Sequence, residues 1–457
     1  MSPSSSQHPA PSTQHLRDSA IRVLRLNDVG GWTRPAPRLY PHIWSWDSGL
    51  IAAGLAHLDV ARALLELESL FGAQWADGRV PHIVYDPSTP PEAYFPGPDR
   101  WACAEVTEVA CTAPATSGLV QPPVHAIGLW RIWQRVSDHG RRRDVPERDR
   151  IGALYERMLA WHQYLATHRD PTGAGLLTIY HPWESGNDNS PRWDPALANV
   201  AVGAVPPFTR RDLAHVADPS HRPTDAEYDR FMWLIESLKA ARYDDAEAHR
   251  SHPFLVKDLT FTAILAMACS SLAEVGAWLN RPASEMAQLR EWTARFSEGV
   301  LGRYDPEIGL ALDLDVRAGQ PIQVRTWAGL APLLLPTAPA GVVGALVERM
   351  RGPDFAGYPG LVARVVPSTV PGSPGFARRS YWRGPIWPHA NWLLWLGLEG
   401  HGHGAEAAEL RAESLVLLAR PGARFAEYFE PFTGEPLGSP DQSWTAAVAL
   451  DWLATGP

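Results

Sequence analysis

The stretch FLVKDLTFTAILAMACSSLAEVGAWLNRPASEMAQLREWTARFSEGVL, residues 254–301, consists of two apolar segments around a short polar connection. In segments 254–279 and 285–301, apolar residues recur at spacings of three and four, which is the period of one face of an α-helix. The connection NRPAS, residues 280–284, makes the second segment return along the first. The stretch therefore predicts an antiparallel pair of helices.

The same period recurs along the chain, and dividing the segments at their turns gives about a dozen helices. The other segments with this period are 48–71, 124–136, 150–168, 325–335, 340–350, 386–400, 406–419 and 443–454. Alternating strand patterns are short, and VPHIVYD (80–86) is one of them. No shift in composition divides the helices, so we expect a single all-α domain over 18–457 behind a disordered tail, 1–17.

Connections between these helices alternate in length. Short ones such as NRPAS and GHGHG alternate with long segments rich in Pro, Gly and Trp. The long segments are 73–122, 170–194, 201–224, 302–321, 352–382 and 420–441. About six helix pairs joined by short turns place every long loop on one face, where long loops of a compact domain are usually functional. This predicts an (α/α)6 barrel, or toroid; a helical solenoid is the alternative, but no repeat of fixed period supports it.

Composition excludes several classes of protein. The 457 residues are 45% hydrophobic, and the net charge of -9 is spread along the chain, so nucleic acid or an acidic membrane surface is not expected as a partner. Three cysteines without CxxC spacing and a polar N-terminus predict a cytoplasmic protein. We expect no segment to approach the apolar run of roughly 18 residues that a membrane helix needs. A homo-oligomer stays open.

Tryptophan is the outlier in the composition, with 20 residues. Many of them are core, but others stand beside Gly, Pro, Asp or Arg in the long loops, where packing alone does not call for them. An indole face covers the apolar face of a sugar ring, while carboxylates and amides bind its hydroxyls. Loop tryptophans beside acids and amides therefore indicate a carbohydrate site.

Two loops combine acids with aromatic residues. HPWESGNDNSPRWD (181–194) contains Glu184 and Asp188, and FAEYFEPFTGE contains Glu427, Glu430 and Glu435. Glycoside hydrolysis needs two carboxyl groups, one protonated and one ionised. Burial among indoles raises the pKa of an acid, as a proton donor requires. From the residues alone, Asp188 and Glu184 are equivalent, and so are the three later glutamates.

Further polar and aromatic side chains lie in or beside the same loops. They are Tyr40, Trp44, Trp46, Asp47, His82, Tyr94, Gln121, Trp183, Arg222, Tyr228, Tyr381, Trp382, Trp387 and Gln442. Asp47 fits equally well as a helix N-cap, and Arg222 as a surface arginine. The histidines lack HExxH spacing, and neither GxSxG nor GxxxxGK[ST] is present, so we expect no metal and no cofactor.

Four motifs together resemble glycoside hydrolase family 63, over about residues 30–455. They are WSWDSG, HPWESGNDNSPRWD, YWRGPIWPHANWL and EYFEPFTGEPLGSPDQSWTAA. At this length the chain is most similar to the compact bacterial branch that hydrolyses mannosylglycerate and glucosylglycerate. The resemblance implies an (α/α)6 barrel and an inverting mechanism. It implies Asp188 as general acid and Glu427 as general base; Asn187 stands where relatives often carry Met.

The resemblance also implies which residues bind the sugar and which bind the glycerate. It implies a sugar subsite lined by Trp44, Trp46, Asp47, Gln121, Trp183, Tyr381, Trp382, Trp387 and Gln442, with Glu184 holding a hydroxyl or positioning its loop. The glycerate carboxylate needs a cation or fork donor. We expect that subsite to use Arg222 and Tyr228, in a loop that closes on binding, together with Tyr40 from the first loop, His82 and Tyr94.

The expected substrate is thus 2-O-α-D-glucosyl-D-glycerate, cleaved to glucose and glycerate. Mannosylglycerate and short α-glucosides are the nearest alternatives. From other classes, a sugar epimerase or lyase would need a His or Tyr proton shuttle in place of the two acids. A carbohydrate-binding protein without turnover would keep the tryptophans but could lose either acid.

Overall fold

The computed structural model describes residues 13–215, 218 and 221–455. Its α-helices in chain order are α1 Thr13–Asn27, α2 Ser45–Leu55, α3 Val60–Phe71, α4 Pro98–Trp101, α5 Cys103–Val106, α6 His125–Ser137, α7 Arg148–Tyr164, α8 Asp194–Ala198, α9 Asp225–Ala240, α10 Asp245–Ser251, α11 Leu259–Leu279, α12 Ala283–Leu301, α13 Ala340–Arg351, α14 Pro388–Gly400, α15 Gly404–Leu418 and α16 Ser443–Ala454. A 3-10 helix spans Trp327–Leu334. The fold is mostly α, as expected.

Helix α1 corrects the expected tail. Residues 1–12 of the predicted tail lie outside the described residues, but the chain is helical from Thr13, so the boundary at residue 17 was wrong. Leu16, Ala20 and Val23 recur at helical spacing and are buried, and α1 packs on α16. This burial is the reason why the segment is helical although its exposed face is charged.

The hairpin predicted over 254–301 is confirmed as α11 and α12. The side chain of Asp258 accepts a hydrogen bond from the Phe261 amide and caps α11, while Asn280 ends the helix in the left-handed region at φ 61°. Helix α11 is also long and apolar enough to cross a membrane, with a mean hydropathy of 1.5, contrary to the expectation that no segment has this composition. Since 78% of that apolar window is buried inside the protein, the composition is that of a core helix.

The helices pack in pairs and the pairs in sequence. The paired elements are α16 with α1, α2 with α3, α6 with α7, α11 with α12, Trp327–Leu334 with α13, and α14 with α15. The first member of each pair also contacts the first member of the next, in the circuit α2, α6, α11, Trp327–Leu334, α14, α16 and back to α2. All residues of α2 and most of α14 and α16 are buried, as their position between neighbours requires.

Short antiparallel strands organise the long loops. They are β1 Ile43–Trp44, β2 Ile83–Val84, β3 Thr178–Ile179, β4 Val256–Lys257, β5 Tyr304–Asp305, β6 Leu310–Ala311, β7 Leu314–Asp315, β8 Gln320–Pro321, β9 Tyr428–Phe429 and β10 Pro436–Leu437. β3, β4, β7 and β8 form one sheet in that order, and the others pair as β1–β2, β5–β6 and β9–β10. The strand expected over 80–86 is present as the shorter β2. These ladders bring loops that are distant in sequence to one place.

Residues 221–231 are only partly loop. The loop ends at Thr224, and α9 begins at Asp225, so Tyr228 projects from a helix rather than from the expected loop. Thr224 and Glu227 form a reciprocal capping box, in which each side chain accepts from the backbone of the other residue. This signal is present in the sequence as TDAE and was overlooked.

Candidate active site

A cavity of about 100 Å³ lies among the long loops. Twelve of the predicted site residues line it: Tyr40, Trp44, Trp46, Asp47, His82, Tyr94, Gln121, Trp183, Asp188, Arg222, Tyr228 and Tyr381. The strands explain part of this convergence, because β1 and β2 join Trp44 to the loop that contains His82. A hydrogen bond from the Trp46 amide to Gln121 Oε1, 3.2 Å, fixes the third loop against the start of α2.

Asp188 is a half-buried acid at the wall of this cavity. Its loop is held by the neighbouring Asn187, whose Oδ1 accepts from Trp327 Nε1 at 2.8 Å and whose backbone oxygen accepts from Trp193 Nε1 at 2.8 Å. Burial raises the pKa of Asp188 to about 7; the negative charge of Glu427 adds to this effect, and Arg222 opposes it. Near neutral pH this carboxyl group is therefore protonated for a large part of the time.

Glu427 is fully buried at the start of the β9–β10 hairpin. Its Oε1 accepts hydrogen bonds from the hydroxyls of Tyr40, at 2.7 Å, and Tyr381, at 3.0 Å. Its Oε2 accepts from the backbone amide of Ser439 at 3.0 Å. Gly438 has φ 71°, and a Cβ there would lie 2.4 Å from Oε2, so this position needs glycine for both reasons.

The two neighbouring glutamates have other partners. Glu430 accepts from the Phe432 amide at 3.0 Å and pairs with Arg378 at 2.8 Å, so it stabilises the hairpin turn. Glu435 lies at the surface in an ion pair with Arg379. None of the three glutamates lines the cavity itself, but Glu427 alone accepts from the lining hydroxyls of Tyr40 and Tyr381, and its charge acts on Asp188. The geometry thus favours Glu427 among the three glutamates that composition left open.

Glu184, which was expected to hold a substrate hydroxyl or to position its loop, lies outside the cavity lining. Its carboxylate is buried and receives both terminal nitrogens of Arg169 at 2.8 Å each. It also accepts from the amides of Val120, at 3.2 Å, and Tyr180, at 2.7 Å. With its acceptors occupied, Glu184 joins the loop before Gln121 to the loop that contains Asp188, which is the positioning role that the sequence left as an alternative.

Replacing Glu184 by Gln is expected to lower the free energy of unfolding by about 3–5 kcal/mol, because Arg169 would stay buried with half of its charge uncompensated. Urea denaturation followed by tryptophan fluorescence measures this change. Glu435→Gln, which breaks an exposed pair with Arg379, is the matched control and should cost less than about 1 kcal/mol. Equal losses in the two variants would contradict the role of Glu184.

Asp47 is not an N-cap. Helix α2 begins at Ser45 with Trp44 as its cap residue, and no side chain caps it. Asp47 therefore lies within the first turn, lines the cavity, and its Oδ1 is buried without a partner among the described residues. Burial, with the charge of Glu427, raises the pKa of Asp47 well above its ordinary value. A buried acceptor without a partner is what a sugar hydroxyl requires.

Three expected contacts lie behind the cavity wall. Trp382 and Trp387 stack with ring centroids 4.0 Å apart, are buried, and do not line the cavity. They support Trp46 and Tyr381, which do line it. Gln442 is also buried and outside the lining, but both atoms of its amide lack a partner among the described residues, so its hydrogen-bonding capacity is unused.

Arg222 lines the same cavity. Its guanidinium lies over the ring of Tyr381, 4.6 Å from the centroid, and is buried. Its Nε and Nη2 have no hydrogen-bond partner among the described residues. A buried guanidinium with free N–H groups is a receptor for an anion, and its planar fork matches a carboxylate.

Three further residues, His82, Tyr94 and Tyr228, line the cavity as neutral groups. Burial lowers the pKa of His82 to about 3, and His82 Nδ1 lies 2.6 Å from the hydroxyl of Ser117. Burial raises the pKa of Tyr94 well above its ordinary value and that of Tyr228 in the same direction. The charge of Arg222 acts on Tyr94 and Tyr228, whose neutral hydroxyls can form hydrogen bonds with a ligand bound there.

Sequence reasoning missed several lining residues. They are Pro35, Leu39, Ala93, Phe95, Gly186, Arg211, Asp212, Pro223 and Trp444. Trp444 had a signal, since it follows Gln442 in the motif PDQSW, and its ring lies 5.9 Å from that of Trp46. Arg211 and Asp212 lie at the start of a short 3-10 helix, Asp212–His215, which no sequence period indicated.

The site therefore combines aromatic walls, an anion receptor and two carboxyl groups, of which Asp188 lines the cavity and Glu427 is bound to the hydroxyls of two lining tyrosines. Asp188 can donate a proton near neutral pH, and Glu427 accepts three hydrogen bonds, as a carboxylate does. The rings of Trp44, Trp46 and Trp183 contribute apolar faces to the cavity wall. This combination suits the hydrolysis of a glycoside whose leaving group carries a negative charge.

Comparisons with known proteins agree with this geometry. Residues 40–445 match the family model described as the mannosylglycerate hydrolase MGH1-like glycoside hydrolase domain. The chain is 45% identical to the glucosylglycerate hydrolase of Mycolicibacterium hassiacum, with 97% of this chain and 99% of that protein aligned. It is 40% identical to the mannosylglycerate hydrolase of Thermus thermophilus, over 95% and 99% of the two chains.

A solved structure shows the same fold. The crystal structure of a family 63 mannosylglycerate hydrolase from Thermus thermophilus, in complex with Tris and D-glycerate, superposes with a TM-score of 0.85 at 39% identity, covering 96% of this chain and 99% of that one. The match of family model, sequence and fold extends over nearly the whole chain. The protein is therefore a glycoside hydrolase, and it belongs to the mannosylglycerate hydrolase MGH1-like group of glycoside hydrolase family 63.

Proposed function

We propose that this enzyme hydrolyses 2-O-α-D-glucosyl-D-glycerate to glucose and glycerate with inversion at the anomeric carbon. The observation that carries the proposal is Arg222, a buried cation with free N–H groups in the same cavity as Asp188. The glycerate carboxylate would bind there, and the sugar would lie among the tryptophans. The 45% identical glucosylglycerate hydrolase of Mycolicibacterium hassiacum supports the same substrate.

In the proposed reaction, a water molecule attacks C1 of the glucose while Glu427 accepts one of its protons. The bond between C1 and the glycerate oxygen breaks, and Asp188 donates its proton to that oxygen. The raised pKa of Asp188 supports its role as the acid. Asp47, Gln121 and Gln442 would bind sugar hydroxyls; His82, Tyr94 and Tyr228 would bind the glycerate.

We also propose that the circuit of six contacting elements is the inner layer of an (α/α)6 toroid. The paired helices α1, α3, α7, α12, α13 and α15 would form the outer layer. A cytoplasmic location remains our proposal and is supported by Cys103, Cys111 and Cys269, which are free thiols. The reaction needs no partner other than the substrate.

Mannosylglycerate is the second candidate, because the 40% identical relative and the matching crystal structure are both mannosylglycerate hydrolases. Glucose and mannose differ only in the configuration at C2. A hydrolysis panel of glucosylglycerate, mannosylglycerate, glucosylglycerol and trehalose tests both candidates. We expect the highest kcat/KM for glucosylglycerate; a preference for trehalose or glucosylglycerol would overturn the proposal.

Arg222→Ala is expected to lower kcat/KM for glucosylglycerate by about 10²- to 10³-fold, since a buried, hydrogen-bonded charge pair with the substrate would be lost. Glucosylglycerol, the matched substrate without a carboxylate, should lose much less. Initial rates of glucose release measure both. A similar loss for the two substrates would remove Arg222 from the carboxylate subsite.

The pH dependence should report Asp188. The acid must be protonated, so kcat/KM should fall tenfold per unit as the pH rises above about 7, the pKa of Asp188 in the folded protein. α-D-Glucosyl fluoride releases fluoride, which needs little help from a proton, and its hydrolysis should lack this alkaline limb. If kcat/KM for the fluoride fell equally above about pH 7, the fall would belong to a group other than Asp188.

A further inference from the structure

The carboxylate of Glu427 accepts three hydrogen bonds, and two of them fill the acceptor positions of Oε1. Oε1 receives the hydroxyls of Tyr40 and Tyr381, Oε2 receives the Ser439 amide, and the side chain is fully buried. A group that removes a proton from water must first accept a hydrogen bond from that water. In this arrangement the tyrosines occupy the place of the water.

The two hydroxyls stand between Glu427 and Arg222. They lie 3.2 Å apart, both tyrosines line the cavity, and the Arg222 guanidinium covers the Tyr381 ring. The charge of Arg222 acts on both tyrosines and on Glu427. An anion bound to Arg222 would therefore compete with Glu427 for the phenolic protons.

The two tyrosines differ in their freedom to move. Tyr381 is packed by the rings of Trp387 and Tyr428 and covered by Arg222. Tyr40 is half-buried, and only the edge of Trp44 contacts its ring among the other described aromatic side chains, apart from the hydroxyl contact to Tyr381. Tyr40 is therefore the donor that can change its acceptor.

We propose that the Tyr40 hydroxyl donates to Glu427 until a carboxylate binds to Arg222 and accepts the Tyr40 hydrogen bond instead. The negative charge of the aglycone itself would thereby make the base available. This inference rests on the proposed function. When the Tyr40 proton turns to the substrate carboxylate, a lone pair of Glu427 Oε1 becomes free for water. No covalent bond changes in this step; the water proton moves to Oε1 only during the attack on C1.

Selectivity then acts on turnover as well as on binding. An uncharged α-glucoside can occupy the sugar subsite, but it leaves the Tyr40 hydroxyl on Glu427, where Oε1 then has no lone pair free for the attacking water. The charge of the leaving group would thus control whether Glu427 can act as the base, although the leaving group does not contact Glu427. Tyr40 is in this respect a specificity-determining residue.

The test uses α-D-glucosyl fluoride, which has no carboxylate, with free D-glycerate or glycerol added to the intact enzyme. D-Glycerate should raise kcat for the fluoride by about 10- to 100-fold, the worth of one hydrogen bond to a charged group, and glycerol should not. Tyr40→Phe should show a higher rate without glycerate and no further activation. Tyr358→Phe removes a phenol that lies outside the cavity lining and does not touch Glu427, and it should keep the activation ratio.

Absence of activation in the wild-type enzyme would overturn the proposal. Equal activation of Tyr40→Phe would also overturn it, because glycerate would then act by ordering the cavity. Hydrolysis of glucosylglycerate is measured in parallel. If the wild-type enzyme cleaves glucosylglycerate without glycerate activation of the fluoride, the role of Tyr40 fails alone; if it cleaves no glucosylglycerate, the proposed function fails first.

Discussion

Glu427→Gln is expected to lower kcat for glucosylglycerate by about 10³- to 10⁴-fold, because the amide cannot accept the proton of the attacking water. The fold should survive, since a glutamine oxygen at the position of Oε1 can still accept from Tyr40 and Tyr381. With D-glycerate present, α-D-glucosyl fluoride should be affected as strongly, since its hydrolysis then needs the same activated water. Initial rates with both substrates, together with circular dichroism, measure these effects.

Azide gives this variant a positive control. As a nucleophile that carries no proton, azide should restore turnover of the fluoride and give β-D-glucosyl azide, which NMR identifies by its anomeric configuration. Glu435→Gln, the same substitution at an exposed site of the same loop, should keep nearly full activity. An α-configured azide, or near-full activity of Glu427→Gln, would contradict an inverting mechanism with Glu427 as base.

Asp188→Asn should give a different pattern. Turnover of glucosylglycerate should fall about 10²- to 10⁴-fold, because the leaving oxygen would depart without a proton. The fluoride should lose far less, since fluoride is a good leaving group. Because burial raises the pKa of Asp188, the neutral amide should not lower the free energy of unfolding.

Thermal unfolding and the two rates check this pattern together. Asp138→Asn, at an exposed aspartate paired with Arg141, is the matched control and should change neither rate. Equal losses for glucosylglycerate and the fluoride would mean that Asp188 binds the sugar instead of protonating the leaving group. The ratio of the two rates thus separates the acid from the base.

The helical hairpin over 254–301 was predictable because both of its helices bury one face, and burial imposes a period on the sequence. Helix α1 escaped prediction because arginines surround its buried stripe of Leu16, Ala20 and Val23. Helix α9 escaped because its start lay in a segment that was expected to be a mobile loop. For α1, tertiary contacts that a single sequence does not display decided the structure, whereas the start of α9 carried the capping-box signal TDAE, which was overlooked.

Some residues of the candidate site could likewise be predicted from the sequence, and others could not. Asp188 and Glu427 stand in motifs unusual enough to be identified with a family. The fate of Glu184 could not be predicted, because its partner Arg169 comes from the turn that ends the preceding helix, and only the folded chain brings them together. Trp382 and Trp387 have the same composition signal as Trp46 and are as deeply buried, yet only Trp46 lines the cavity, and composition does not show which side chains reach it.

The packing of α16 on α2 and α1 has a consequence during synthesis. Every residue of α2 is buried in the finished protein, yet one of its main neighbours is translated last. With about 390 residues between the two helices and roughly 5–20 residues added per second, α2 waits about 20–80 s on the ribosome for its partner. Over this interval an apolar surface is open to wrong contacts, so we expect the yield of native enzyme to depend on chaperones that cover nascent chains.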